Sequence, residues 1–224
     1  SMAFSSLEKI ICKKFDCIIS ATESIQEKFN DINPNSITIN NYPILNELYS
    51  ENLDFKKKKN QVLFVGVISD LRCIHELVEA LELIEEDVKF VLCGRFSGEK
   101  LQKEVSQKKG WKKVDYRGQV EREEVKKLIA ESLAGIVVYK GIPNHVDAKP
   151  NKLFEYMSGN LPIIGSNFKL WKEAIEGNNC GVTVNPDSPQ NIAECILDVY
   201  KNKQLVPKVF SKRIAFNLIP HIDE

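Results

Sequence analysis

The chain has no excess of charge of either sign. Its 224 residues include 31 lysines and arginines and 31 aspartates and glutamates, so the formal net charge at pH 7 is zero. A dedicated nucleic-acid-binding protein usually has a basic excess, and we therefore expect no nucleic-acid partner. No apolar run approaches the roughly 18 residues of a membrane-spanning helix, and the first residues are no secretory signal.

Metal ligands and paired cysteines are also scarce. The chain has three histidines, widely separated, and its six cysteines include no Cys-x-x-Cys pair. We therefore expect no metal site and a reducing compartment, which predicts a cytoplasmic protein. The composition, 43% hydrophobic and 28% charged, is that of a globular protein and excludes disordered, collagen-like and disulfide-scaffold classes.

From residue 62 onward, short β-branched runs alternate with segments whose apolar residues recur at helical spacing. Several runs are almost wholly apolar, which is typical of parallel strands covered by helices on both faces. The succession predicts an α/β fold with a doubly wound parallel sheet, Rossmann-like in architecture. The predicted strands are 62–67, 89–94, 114–118, 134–139, 161–166 and 181–185.

The first part of the chain predicts a separate piece. Two strands, 15–21 and 36–40, flank a helix at 22–29, and such a set cannot bury a core of its own. We expect residues 1–45 to be a tag remnant followed by the end of a preceding domain, so that the chain is a fragment. Residues 46–60 then form a linker, 61–205 the Rossmann-like domain and 206–224 a C-terminal tail.

Ligands of open α/β sheets bind beyond the carboxyl ends of the strands, where the strand order switches. Gly66 and Gly94 end the first two predicted strands, and a glycine there lets a ligand approach the backbone. Arg72 and Arg95 follow in the same loops and could pair with a phosphate. Taken alone, Gly66 fits a turn glycine equally well, and Arg95 fits a solvated surface arginine.

The segment 139–166 is the most informative. Pro150 is suited to the first position of a helix, and the amides of Asn151 and Lys152 would then form an anion site. Asp147 and Glu155 flank this site. A carboxylate beside a phosphate is tolerated when it accepts hydrogen bonds from hydroxyl groups. A ligand with a sugar on one side of a diphosphate and a ribose on the other would offer such hydroxyls to both carboxylates. As isolated residues they fit a helix cap and a surface charge.

Four segments together resemble a known family: 66–72, 94–95, 116–120 and above all 149–166. They are similar to the carboxy-terminal domain of retaining glycosyltransferases with the GT-B fold, of the glycosyltransferase family 4 type. The family has a glutamate, seven residues and a second glutamate, and here Asp147 stands in the first position and Glu155 in the second. The family also tends to have an arginine where this chain has Val67.

The resemblance implies a role for each candidate residue. Glu155 would hold the donor ribose, and Asp147, as the catalytic residue, would contact the sugar hydroxyls. Arg72 stands where the family commonly has a basic residue, and the segment from Gly118 to Val120 would touch the base. The other residues implied to bind the donor are Gly66, Gly94, Arg95, Asn151, Lys152 and Leu153.

The function implied is transfer of a sugar, with retention, from a nucleotide sugar, UDP being the favoured carrier. The acceptor would be a glycan or lipid-linked, in bacterial lipopolysaccharide O-antigen or capsule synthesis. No cofactor or metal is implied. The acceptor site would lie in a missing first domain, which would also provide any peripheral association with the inner face of the cytoplasmic membrane. We expect the fragment to bind donor without transferring sugar.

Two other readings stay open at this point. A nucleotide-sugar epimerase of related architecture would need acids and bases within this domain, for which His145 and Asp147 are the candidates. His145 fits an exposed loop histidine as well. The second alternative is a non-catalytic module that binds a nucleotide or a partner protein on the same fold.

Overall fold

The structure is a computed structural model, which describes residues 2–39, 43, 47–48, 58–148 and 150–202. Ser1–Tyr42 forms one compact unit and Pro43–Glu224 a second. The predicted tail at 206–224 and most of the predicted linker at 46–60 lie outside the described residues. Residue 40, the end of the predicted strand 36–40, lies outside them as well.

The first unit is a small β-α-β arrangement preceded by a helix. Its elements are α1 (Met2–Cys12), β1 (Ile18–Ser20), α2 (Glu23–Asn30) and β2 (Ser36–Thr38). The two strands pair in parallel, so α2 is the crossover between them. Helix α1 was absent from the sequence-based prediction. Large apolar side chains of this unit are exposed, among them Phe4 at 77% and Ile19 at 64%.

The second unit alternates strands with helices along its described length. Its elements are β3 (Gln61–Val65), α3 (Ile74–Glu82), β4 (Lys89–Cys93), α4 (Glu99–Ser106), β5 (Val114–Gly118), α5 (Arg122–Glu131), β6 (Ala134–Val137), α6 (Pro143–Val146), α7 (Asn151–Ser158), β7 (Ile163–Ser166), α8 (Lys169–Ile175), β8 (Gly181–Val184) and α9 (Pro189–Lys201). Each of the strands overlaps one of the predicted strands. The doubly wound α/β fold is therefore confirmed.

The strands of the second unit form one parallel sheet, which over the described residues has the order β5-β4-β3-β6-β7-β8. The chain builds outward from β3 to β5, crosses back through α5, and then builds outward in the other direction from β6 to β8. The switch in strand order lies between β3 and β6. The loops that follow these two strands leave on opposite sides, which opens a crevice at the carboxyl edge of the sheet.

Helices cover both faces of this sheet. Val62 and Phe64 belong to a buried cluster that includes residues of α3, α4 and α9. Leu63 is fully buried between them, and it points to the opposite face because side chains alternate along a strand. This two-sided burial is the physical reason for the nearly continuous apolar runs in the sequence.

Helix α9 begins at a start signal that the sequence contains, whereas helix α3 does not. The Ser188 side chain caps α9, and Pro189 occupies its first position. Apolar side chains recur at helical spacing from Leu71 onward, but helix α3 begins only at Ile74, because a 3-10 turn at Asp70–Arg72 and a left-handed Cys73 (φ 53°) precede it. Leu71 itself is 46% exposed. Within the described residues, each helix falls short of the length and apolar content needed to cross a membrane.

Candidate functional site

A cavity of about 530 Å³ opens at the carboxyl ends of β3, β4 and β5. Most of its lining side chains are apolar, and main-chain groups and two polar side chains complete it. This combination suits a ring with apolar faces and hydrogen-bonding edges. The lining residues are Val65, Gly66, Val67, Cys93, Gly94, Arg95, Phe96, Gln119 and Val120. Four of the predicted residues are thus brought together here, namely Gly66, Gly94, Arg95 and Val120.

Backbone packing forms one side of the cavity. The Gly66 N–H donates to the Cys93 carbonyl (2.9 Å), and the Gly94 N–H donates to the Gly118 carbonyl (2.7 Å). A Cβ atom on Gly94 would lie 1.7 Å from the carbonyl oxygen of Gly66, and its φ of +137° is rare for a residue with a side chain. Gly118 adopts a left-handed conformation (φ 64°), which turns the chain into the lining residues Gln119 and Val120.

Tyr156 connects α7 to the end of β3. Its buried hydroxyl accepts a hydrogen bond from the N–H of Val65 (3.1 Å) and donates to the carbonyl of Leu63 (3.4 Å). Burial raises the pKa of Tyr156, so the hydroxyl stays a neutral donor. Because Val65 also lines the cavity, this bond fixes the position of α7, and of the neighbouring Glu155, relative to the cavity.

The N-terminus of α7 differs by one residue from the prediction. Pro150 is the N-cap, and Asn151 is the first helical residue. The first amides of a helix have no acceptor within it, so those of Asn151 and Lys152 remain candidates for binding an anion. Leu153 is different, because its N–H donates to the Pro150 carbonyl (3.0 Å) and the residue is only 2% exposed. In this conformation Leu153 does not present a donor or a surface to a ligand. Lys149 lies outside the described residues.

Glu155 lies between two cations. One carboxylate oxygen is 3.2 Å from Nη1 of Arg122, the first residue of α5, and the other accepts a hydrogen bond from Nζ of Lys152. The side chain of Glu155 is 13% exposed. A carboxylate has about four acceptor positions, so these contacts leave Glu155 able to accept from two neighbouring hydroxyls.

Arg122 is itself held by a second carboxylate. Its Nε and Nη2 donate to the two oxygens of Glu47 at 2.7 and 2.9 Å, a bidentate pair. The hydrogen bonding with Glu47, followed by the charge of Glu155, raises the pKa of Arg122 against the opposing effect of burial. Glu47, Arg122, Glu155 and Lys152 form a chain of alternating charge with no net charge. The two cations therefore reduce the repulsion between Glu155 and an anion bound nearby.

Arg72 stacks on an aromatic ring in the loop region at the same edge of the sheet. Its guanidinium carbon lies 3.7 Å from the centroid of the Tyr139 ring, a cation–π contact. Burial lowers the pKa of Arg72, although an arginine remains charged at neutral pH. The Tyr139 backbone exchanges hydrogen bonds with the Ser166 hydroxyl (2.8 and 2.9 Å), and its ring meets that of Trp171 edge-on at 5.1 Å. Tyr139 is thus a fixed platform for Arg72.

Asp147 follows helix α6 in the loop between β6 and α7, and it is exposed. The loop is held at both ends of this short helix. Nδ1 of His145 contacts the Lys140 carbonyl (2.9 Å), so it must carry the proton and donate, and Nε1 of Trp171 donates to the Ala148 carbonyl (2.7 Å). His145 is therefore half-buried and tethered rather than a freely exposed loop residue. Among the described residues there is no cluster of three potential metal ligands.

The parallel sheet, with a cavity at its carboxyl edge next to the switch in strand order, defines a Rossmann-like domain. Residues 46–214 match the family described as "Glycosyl transferases group 1". This match includes most of the chain, and the chain belongs to the group 1 glycosyltransferase family. A search of curated protein sequences found no match.

Solved structures share this fold. Sucrose-phosphate synthase from Thermosynechococcus elongatus is 18% identical with a TM-score of 0.67, over 97% of this chain and 60% of that one. Anabaena HepE in complex with UDP and glucose is 16% identical with a TM-score of 0.69, over 97% and 66%. The C-terminal domain of the group 1 protein LpcC from Francisella tularensis is 19% identical with a TM-score of 0.63, over 79% and 95%. The chain therefore spans 60 to 66% of the length of the first two proteins. The shared fold confirms the predicted GT-B glycosyltransferase fold.

Proposed function

We propose that this chain carries the donor site of a retaining glycosyltransferase of the family 4 type that uses a UDP-sugar. The observation that carries the proposal is the cavity at the carboxyl ends of β3, β4 and β5, with Glu155 anchored beside it through Arg122 and Tyr156. Membership of the group 1 family supports a transferase. The choice of UDP is supported by HepE, a structure with this fold that was solved with UDP and glucose.

Each part of the donor has a matching part of the site in this proposal. The base lies in the cavity beside Gln119 and Val120, and the ribose hydroxyls donate to Glu155. The diphosphate is bound by Arg72 and by the first amides of α7, where the helix dipole favours an anion. Asp147 accepts hydrogen bonds from the sugar. This assignment gives each negatively charged side chain a hydroxyl partner and each phosphate a positive one.

The chemistry follows from these positions. The bond between the anomeric carbon and the diphosphate oxygen breaks, and its electron pair leaves with UDP. The acceptor hydroxyl oxygen bonds to the same face of that carbon, and its proton passes to the leaving diphosphate. Arg72 and the α7 amides stabilise the charge that develops on the leaving group, a form of electrostatic catalysis. We propose that no bound metal is needed, because these groups replace its charge.

The acceptor and the cellular setting are further parts of the proposal. By the resemblance of segment 149–166, the acceptor is a glycan or a lipid-linked sugar of bacterial surface polysaccharide synthesis, such as an O-antigen or capsule chain. The full protein would then work in the cytoplasm, at the inner face of the membrane. Product analysis of the full-length enzyme with such acceptors tests this part, and it separates transfer from epimerisation of the donor.

The first prediction concerns nucleotide binding. A ligand at about 100 times its Kd adds roughly 2.7 kcal/mol to the free energy of unfolding. UDP at that concentration should raise the Tm of this chain by roughly 5–10 °C, given its size. In Glu155→Gln the affinity for UDP should fall about tenfold, because a charged hydrogen bond to the ribose is replaced by a neutral one. Thermal-shift titration measures both effects.

The controls are GDP, CDP and ADP, and UDP in the presence of EDTA or Mg²⁺. We expect UDP to give the largest shift, and its affinity to be the same with EDTA as with Mg²⁺. Affinity that requires Mg²⁺ would contradict the metal-free proposal. The absence of a shift with all four nucleotides would contradict the donor site and favour a non-catalytic module that binds something else.

A further inference from the structure

Arg122 joins two parts of the proposed site that are distant in sequence. It starts helix α5 two residues after Val120, which lines the cavity. Its guanidinium reaches Glu155 on α7, and the elements β6 and α6 lie between the two helices in the chain. A base in the cavity and a ribose at Glu155 belong to one nucleoside. The distance between their two binding groups is therefore set in part by this arginine.

The geometry gives Arg122 a fixed orientation. Two of its nitrogens form the bidentate pair with Glu47, at 2.7 and 2.9 Å, which orients the plane of the guanidinium. The third nitrogen, Nη1, then points to Glu155 at 3.2 Å. Lys152, the other cation on Glu155, is three residues away on the same helix and has a flexible stem. It neutralises the carboxylate but cannot fix α7 relative to the cavity.

We infer that Arg122 is a positioning residue for donor recognition, which holds the Glu155 carboxylate at the place where it accepts the ribose hydroxyls. This inference rests on the proposed function. Arg122 does not itself contact the base, and its effect on affinity passes through Glu155. Loss of Arg122 should therefore weaken the binding of ligands that have ribose hydroxyls more than the binding of ligands that lack them.

The experiment measures Kd by calorimetry for UDP and for 2′,3′-dideoxy-UDP, using the wild-type chain and Arg122→Met, which keeps the aliphatic stem. We expect Arg122→Met to weaken UDP binding roughly 5- to 10-fold, and to leave the Kd for the dideoxy ligand within about twofold of wild type. The double variant Arg122→Met/Glu155→Gln should bind UDP no more weakly than Glu155→Gln alone, since the two residues act as a unit.

Arg117→Met is the matched control. Arg117 lies at the end of β5, its side chain is 35% exposed against 34% for Arg122, and it also pairs with two carboxylates, those of Asp115 and Glu124. Arg117→Met removes one positive charge, as Arg122→Met does. We expect it to leave the ratio of the Kd for UDP to the Kd for 2′,3′-dideoxy-UDP unchanged.

The outcomes separate the inference from the proposed function. If the wild-type chain binds neither ligand, the donor site is overturned and Arg122 loses its role with it. If UDP binds and Glu155→Gln weakens it but Arg122→Met does not, the donor site stands and the inference about Arg122 is wrong. An equal loss for both ligands in Arg122→Met would indicate general damage to the site, and it would also overturn positioning through Glu155.

Discussion

Gly94→Ala should destabilise the second unit by about 3 kcal/mol or more, and it should abolish nucleotide binding. The added Cβ would lie 1.7 Å from the Gly66 carbonyl oxygen and 2.8 Å from its carbonyl carbon. Both atoms are backbone, so β3 and β4 must move apart at their carboxyl ends. The φ of +137° adds strain of its own. Because the cavity lies at these strand ends, stability and binding should be lost together. The Tm should fall by roughly 6–12 °C.

Gly98→Ala, in the same loop, is the control. A Cβ there meets no atom within 4 Å, and the residue has an extended φ of −174° at the N-cap of α4. We expect a change within about 1 kcal/mol and unchanged UDP binding, measured by thermal unfolding and titration of both variants. Equal destabilisation by the two substitutions would show that close approach of the strands is not what requires glycine at position 94.

The sheet could be predicted because its signal is local. A run such as 62–65 is apolar at every position, and parallel strands buried on both faces require that pattern. The sequence did not indicate that α3 begins at Ile74 rather than at Leu71. The reason is that Cys73 adopts a left-handed conformation that glycine or asparagine usually occupies. Packing of neighbouring elements overrides the local preference there.

Helix α1 was missed although its signal is present. Phe4, Leu7 and Ile11 recur at helical spacing, and the same side chains are exposed in the structure. The segment is short, and most helical stability comes from packing. Three apolar residues at helical spacing were therefore a weak signal on their own, which accounts for the miss.

Some residues of the candidate site could likewise be predicted from a local pattern in the sequence, and others could not. Gly66 and Gly94 could be proposed because a glycine at a strand end is a local pattern, and Glu155 because the spacing to Asp147 is local too. Arg122 and Glu47 could not be proposed from the sequence, because Arg122 is 33 residues from its partner Glu155 and Glu47 is 75 residues from its partner Arg122. Only the folded sheet places the loop after β5 beside α7. The role of Tyr156 required the same information, since its partners lie on β3.

A further prediction concerns the diphosphate. Arg72→Met should weaken UDP binding roughly 10- to 100-fold, which corresponds to about 1.5–3 kcal/mol for a hydrogen bond to a charged group. Binding of uridine, which has no phosphate, should not change. Calorimetric titration of UDP, UMP and uridine with wild type and Arg72→Met measures this, and a parallel loss for uridine would contradict a phosphate role. The family that the sequence resembles tends to have an arginine where this chain has Val67, so in the proposed site Arg72 would carry a larger share of the phosphate charge.

The platform beneath Arg72 provides a second, graded test. Tyr139→Phe keeps an aromatic face under the guanidinium, so UDP affinity should remain close to wild type. Tyr139→Leu removes the face, and the loss of a cation–π contact of about 0.5–1 kcal/mol should weaken UDP binding roughly two- to fivefold. In an Arg72→Met background the leucine should have no further effect on UDP, because the cation that Tyr139 orients is gone. An additional loss in that background would mean that Tyr139 acts on the ligand by a route other than Arg72.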